Sequence, residues 1–84
     1  MAKPVNFYYD APQAKSVQIE GDFCDWAPLP MQRRVDGWWF LQFDLTHGHH
    51  QYRFNVDGQR LLDPRAVGTT RSEDNEEVSI VSVS

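Results

Sequence analysis

Residues Trp38 to Asp57, WWFLQFDLTHGHHQYRFNVD, decide how the rest of the chain is read. Trp39, Leu41, Phe43 and Leu45 are apolar at every second position, and Tyr52, Phe54 and Val56 resume that period after the polar break Thr46 to His49. Alternation of this kind marks strands with one buried face. With Gly48 free to take positive φ, a two-residue loop at His47-Gly48 predicts a β-hairpin. Its register would set Leu45 against His50, Phe43 against Tyr52, Leu41 against Phe54 and Trp39 against Val56. Trp38, Phe40, Gln42, Arg53 and Asn55 then fall on the other face, which is more aromatic than plain solvent exposure requires.

Working outward, Val5 to Tyr9 reads as a first strand that ends at the turn signal Asp10-Ala11-Pro12. Ser16 to Phe23 reads as a second, with Gly21 marking a bulge or a close backbone approach. FCDWAPLP, from Phe23 to Pro30, holds prolines at positions 28 and 30 and reads as a loop carrying Trp26. Met31 to Val35 is expected as a short third strand, followed by turns at Asp36-Gly37 and Asp57-Gly58 and an extended piece from Arg60 to Leu62. Ala66 to Asn75 has few large apolar residues and reads as a loop, and Glu77 to Val83 as the last strand. No stretch of about ten residues keeps a helical period. Six to eight short, mostly antiparallel strands predict an all-β sandwich occupying residues 1–84 as one domain.

Length and charge narrow the function classes. A chain of 84 residues buries only about 60% of its unfolded surface, enough for one modest core and no deep cleft. Cys24 is the single cysteine, so no intrachain disulfide supports that core. Eight Lys and Arg against twelve Asp and Glu give a net charge of −4, which disfavours a phosphate-backbone partner such as nucleic acid. No apolar run suits a membrane span and Met1 to Asp10 lacks the apolar segment of a signal peptide, so a soluble, cytoplasmic protein is expected.

Among chemistry-bearing residues, His47, His49 and His50 sit around the polar break and no cysteine completes a metal-binding spacing, so no metal or cofactor is expected. Asp22, Asp25, Asp57 and Asp63 all lie at turns, where Asp is favoured for its backbone hydrogen bonds, which argues against a hydrolytic carboxylate pair. Cys24 has no basic neighbour and reads as an unreactive thiol. Glu73, Asp74, Glu76 and Glu77 read as a solvated loop. Trp26, Trp38 and Phe40 remain, with Arg53 nearby. Such a set suits a sugar, whose apolar ring face stacks on a flat aromatic while cations and amides hold its hydroxyls.

The ordered set GDFCDW, DGWWFLQFDL, YRFNVDG and LLDP resembles the family 48 carbohydrate-binding module. That module occurs as the glycogen-binding domain of AMP-activated protein kinase β subunits and as the early-set domain ahead of isoamylases and branching enzymes. The resemblance spans roughly residues 5 to 83. It implies an immunoglobulin-like early-set β-sandwich that binds α-1,4-glucan (glycogen, starch or maltooligosaccharide) without catalysis. By position it makes Trp26 the stacking tryptophan and Arg53 the basic residue of the site. It places Arg60 where glycogen-binding members carry a second stacking tryptophan, and Asn75 nearest the sugar-holding amide. Trp38 is the candidate second platform. The other expectation is an interaction module with the same fold, its aromatic outer face meeting another protein or a second copy of itself.

Overall fold

The computed structural model describes residues 1–84. Nine short strands form two antiparallel sheets. In the first, β1 (Lys3–Asp10) and β4 (Gln32–Arg33) flank β5 (Trp38–Leu45). The second runs β3 (Leu29–Pro30), β2 (Val17–Gly21), β6 (Gly48–Val56), β9 (Glu77–Val83), β8 (Gly68–Arg71), and β7 (Gln59–Leu61) pairs with the distal half of β6. Phe7, Trp39 and Leu45 from the first sheet meet Val17, Ile19, Tyr52, Phe54 and Val83 from the second in one buried cluster. Ring contacts knit the two layers: Tyr9 lies 4.8 Å from Phe54 and Phe7 lies 5.1 Å from Tyr52, between centroids. The all-β sandwich expected from the alternation is therefore present.

The hairpin is not. β5 pairs with β1, setting Trp39 against Tyr9 and Phe43 against Val5, whereas β6 pairs with β2 and β9. Thr46 and His47 carry the chain from one sheet to the other, and Gly48, at φ 121°, begins β6. The period-2 pattern correctly named the inward residues, because Trp39, Leu41, Phe43, Leu45, Tyr52, Phe54 and Val56 all lie in or against the core. The same pattern serves two strands packed face to face as well as two paired side by side, so it does not specify the partner.

Two further strand boundaries differ from expectation. Met31 to Val35 is not one strand: Leu29–Pro30 joins β2, Gln32–Arg33 joins β5, and buried Met31 marks the crossing, its N–H donating to the Val17 carbonyl at 2.9 Å. Pro30 is tolerated because β3 is an edge. The segment Ala66 to Asn75, expected as a loop, contains β8, whose Gly-Thr-Thr-Arg sequence forms the other edge of the second sheet. An edge strand that buries little needs no large apolar residues.

Gly21 ends β2 at a close approach. Its φ of −157° is ordinary extended backbone, but a Cβ would stand 2.7 Å from Phe23 Cζ and 2.9 Å from the Gln51 carbonyl oxygen. Gly21→Ala is expected to cost about 1–3 kcal/mol through this overpacking, read as a lower midpoint in urea with an unchanged slope. An unchanged midpoint would show that the loop yields freely.

The turn carboxylates hold the frame. Asp57 accepts the backbone N–H groups of Lys15 and Ser16, at 2.9 and 2.8 Å, and Asp22 accepts that of Gln51 at 3.0 Å. Asp63 accepts the Tyr52 hydroxyl at 2.6 Å and the Arg65 N–H at 2.9 Å. Burial, then the hydrogen bond to Asp63 and its negative charge, push the Tyr52 phenol far above its ordinary range. A phenol whose pKa is raised on folding contributes stability that is complete below the unfolded value of about 10 and is lost as pH rises beyond it. The stability of the wild type should therefore fall steeply above pH ~10, and Tyr52→Phe should flatten that fall. Urea midpoints measured from pH 8 upward decide this; parallel curves would contradict it.

Candidate functional site

The outer face of the second sheet carries a compact set of charged side chains. Along β6, Arg53 lies between the inward Tyr52 and Phe54 and so points outward, and the register sets it directly opposite Glu20 of β2. Asn55 faces Gln18 on one side and Arg60 of β7 on the other. The turn into β9 brings Glu76 over the gap between β7 and β9.

Arg53 is the hub. Its Nε donates to Glu20 Oε1 at 2.8 Å and its Nη1 to Glu76 Oε2 at 2.9 Å. Only 7% of Arg53 and 4% of Glu20 are exposed, so this is a desolvated pair whose partners depend on each other. Asn55 Nδ2 also donates to Glu20, at 3.3 Å. Arg60, more than half exposed, donates from Nη1 to Glu76 at 3.2 Å, and its Nε lies 3.8 Å from Glu20. Arg53 Nη2 has no partner in the protein, yet Ser72 Oγ alone is both buried and unpaired. Nη2 is thus the guanidinium donor left for solvent or a ligand.

Trp26 is set on top of this network. The Arg53 guanidinium carbon lies 4.9 Å from the centroid of the half-buried indole, a cation–π arrangement. The loop that places it is unusual. Asp25 and Trp26 both adopt left-handed backbone, at φ 54° and 60°, which residues other than Gly, Asn and Asp seldom do. A 3-10 turn at Asp22–Cys24 leads into the pair. The Trp26 N–H then donates to the Gly21 carbonyl at 2.8 Å and the Ala27 N–H to that of Cys24 at 3.0 Å. Cys24 serves the same loop, its thiol lying 3.4 Å from the Gly21 carbonyl and 3.3 Å from that of Ala27. Arg53 also lines a depression of about 290 Å³, together with Arg60, Leu61, Leu62, Glu76 and Glu77.

Of the residues singled out in the sequence, Trp26, Arg53 and Arg60 converge here. Trp38 does not. It alternates with buried Trp39 on β5 and therefore faces away from the core on the first sheet, at the opposite side of the sandwich. The expected joint platform depended on the hairpin register, which the sheet change at Thr46-His47 removes. Asn75 is not part of the lining either. It holds the left-handed position of the Ser72–Glu76 turn at φ 62°, and its carbonyl accepts from Arg71 at 2.8 Å. Glu76 takes the place expected for an amide, so the acidic run there is not merely a solvated loop.

Glu20 and Glu76 were not legible as site residues. The available signal was parity: Glu20 is the one charged residue inside the Val17–Gly21 strand, outward beside Val17 and Ile19. The histidines and acidic turns assemble nothing further. His50 packs edge-on to Phe23, with Nε2 at 2.9 Å from the Thr46 carbonyl and Nδ1 at 3.5 Å from Asp22.

With this geometry the relatives of the chain can be placed. Residues 3–84 match the family model described as the glycogen recognition site of AMP-activated protein kinase. The chain is 38% identical over 63 residues to the 5'-AMP-activated protein kinase subunit beta-1 of Rattus norvegicus, and equally to that of Homo sapiens. Each match covers 75% of this chain and 23% of the relative. The Sus scrofa protein matches at the same identity, over 50% of its length. The chain thus spans half or less of these curated relatives, while the family model covers nearly all of it, and it belongs to the family of the glycogen recognition site of AMP-activated protein kinase.

Proposed function

We propose that the outer face of the second sheet binds an α-1,4-glucan chain, such as glycogen, starch or a maltooligosaccharide, without altering it. The observation that carries this reading is Trp26, held in left-handed backbone over the buried Arg53, which itself lines the depression. Such backbone costs on the order of 1–3 kcal/mol at each residue and persists where the surrounding structure enforces a particular side-chain placement. Trp26 offers an apolar ring for the flat face of a glucose unit. Arg60 and Arg53 Nη2 donate to hydroxyls, and Glu76 accepts from them. Glu77, which lines the depression, accepts from the Thr69 hydroxyl, whereas Glu20 and Glu76 are engaged by guanidinium groups, Glu20 by the buried Arg53 and Glu76 between two arginines. These two serve to hold the cations in place rather than to transfer protons.

Magnitudes set the affinity. One indole face against a sugar hides on the order of 100 Å² of apolar surface, worth about 2.5 kcal/mol, whereas association costs roughly 4 kcal/mol or more. Short oligosaccharides should therefore bind in the millimolar range or weaker. A polymer gains by offering many sites along one molecule. In native gels cast with glycogen the protein should run more slowly than in gels without it, with no reducing sugar released on incubation. Equal mobility in both gels would overturn the reading. Arg60→Trp restores a second platform at an exposed position and should tighten maltoheptaose binding about tenfold or more, by calorimetric titration; unchanged affinity would show that Arg60 lies off the sugar path.

A further inference from the structure

The first sheet carries its own aromatic face, separate from the Trp26 site. Tyr8 of β1 is set directly opposite Phe40 of β5, with ring centroids 5.2 Å apart, and Trp38 lies two residues along β5 on the same outward parity. All three rings are only partly buried. Arg65, from the turn after Asp63-Pro64, places its guanidinium 5.6 Å from the Trp38 centroid. Its side chain donates no hydrogen bond and has no carboxylate within ion-pair range, so its donors are free. Beside them Arg34 and Asp36, each about half exposed, form an ion pair at 3.3 Å. Tyr8, Arg34, Asp36, Trp38 and Arg65 enclose a shallow depression of about 290 Å³.

The chemistry repeats that of the opposite face: an indole with a guanidinium over it, and an arginine–carboxylate pair alongside to donate and accept. The size of the face selects the occupant. Two eight-residue strands and the two-residue β4 present, at about 3.4 Å per residue and about 4.8 Å between strands, roughly 300 Å². A stable protein interface spreads about 800 Å² of accessible surface over each partner, so it would have to reach well past this footprint. A sugar chain needs far less.

We infer that the Tyr8–Trp38–Arg65 face is a second α-glucan site, on the side of the sandwich opposite Trp26, and that the domain therefore engages two glucan segments at once. The choice of α-glucan as ligand rests on the function proposed above; the existence of a second sugar-sized site does not. No short oligosaccharide can touch both faces, so the two sites act independently on maltoheptaose and jointly on a polymer.

The test is a maltoheptaose titration followed by amide shifts in the wild type, Trp26→Ala and Trp38→Ala, with Arg65→Ala as a variant that leaves the strand intact. Two separate sets of shifts are expected, one around Trp26 and Arg60 and one around Tyr8, Trp38 and Arg65. Trp26→Ala should abolish only the first set and Trp38→Ala only the second, while Arg65→Ala weakens the second severalfold. Wild type should also precipitate amylose, and each tryptophan variant should not. If only the Trp26 set moves, the second site is wrong and the first stands; if only the Trp38 set moves, the reverse holds; if neither moves, both fall. Concentration-dependent shifts at Tyr8 and Trp38 without sugar, with a dimer in sedimentation, would make this face a self-association surface and overturn the inference.

Discussion

Arg53→Ala is expected to lower stability by about 3–5 kcal/mol, because it strands the buried Glu20 carboxylate with only the exposed Arg60, 3.8 Å away, as counter-charge. A domain of this size has roughly 5–10 kcal/mol in total, so the variant should be near the edge of folding at room temperature. Most of the loss belongs to the abandoned charge rather than to the pair itself. Replacing both partners, as Glu20→Gln with Arg53→Met, removes the uncompensated carboxylate and should recover most of the stability. Urea unfolding of the two singles and the double measures the coupling directly. If Arg53→Ala lies within about 1 kcal/mol of wild type, the pair is not the desolvated hub described here.

Trp26→Ala should leave the domain folded and abolish detectable binding of short glucans at the second-sheet face. In the fold it contributes its contact over Arg53, worth about 0.5–2 kcal/mol. Its role in binding is the stacking face, where losing about 2.5 kcal/mol weakens affinity by nearly two orders of magnitude. Starting from millimolar, that places the variant beyond the reach of titration. The two substitutions therefore separate: one residue acts mainly on folding and the other mainly on binding, although they touch. An amide-shift titration with maltoheptaose and thermal unfolding of the same Trp26→Ala sample decide it, and retained shifts around Arg60 and Glu76 would remove the indole from the site.

How much of this was legible in the chain follows from what periodicity encodes. Parity along Trp39–Leu45 and Tyr52–Val56 separated inward from outward residues correctly because it reports burial. Pairing partners were hidden, because face-to-face and side-by-side strands share one pattern, and the predicted hairpin failed for that reason. The expected place of Trp38 beside Trp26 failed with it: a residue's face depends on which sheet its strand joins. Trp26, Arg53 and Arg60 were found through the family motif, and the structure adds why they meet, through the Glu20–Arg53 register and the turn at Glu76. Glu76 had no legible role, since a carboxylate in an acidic run carries no local sign of the arginines that will reach it. Asp63 accepts from Arg65 two residues on, the local bond for which Asp is favoured at turns, whereas Asp22 and Asp57 accept from backbone 29 and 42 residues away, a tertiary role that no local preference encodes.

Glucan binding by the second-sheet face is tested most directly by a map of backbone amide shifts as maltoheptaose is added to the wild-type protein at millimolar concentration. Saturable shifts are expected at Trp26 and Ala27, next to Arg53, and at Arg60 to Leu62, Glu76 and Glu77, which line the depression on the second sheet. A titration that leaves these residues unmoved at saturating sugar would contradict it.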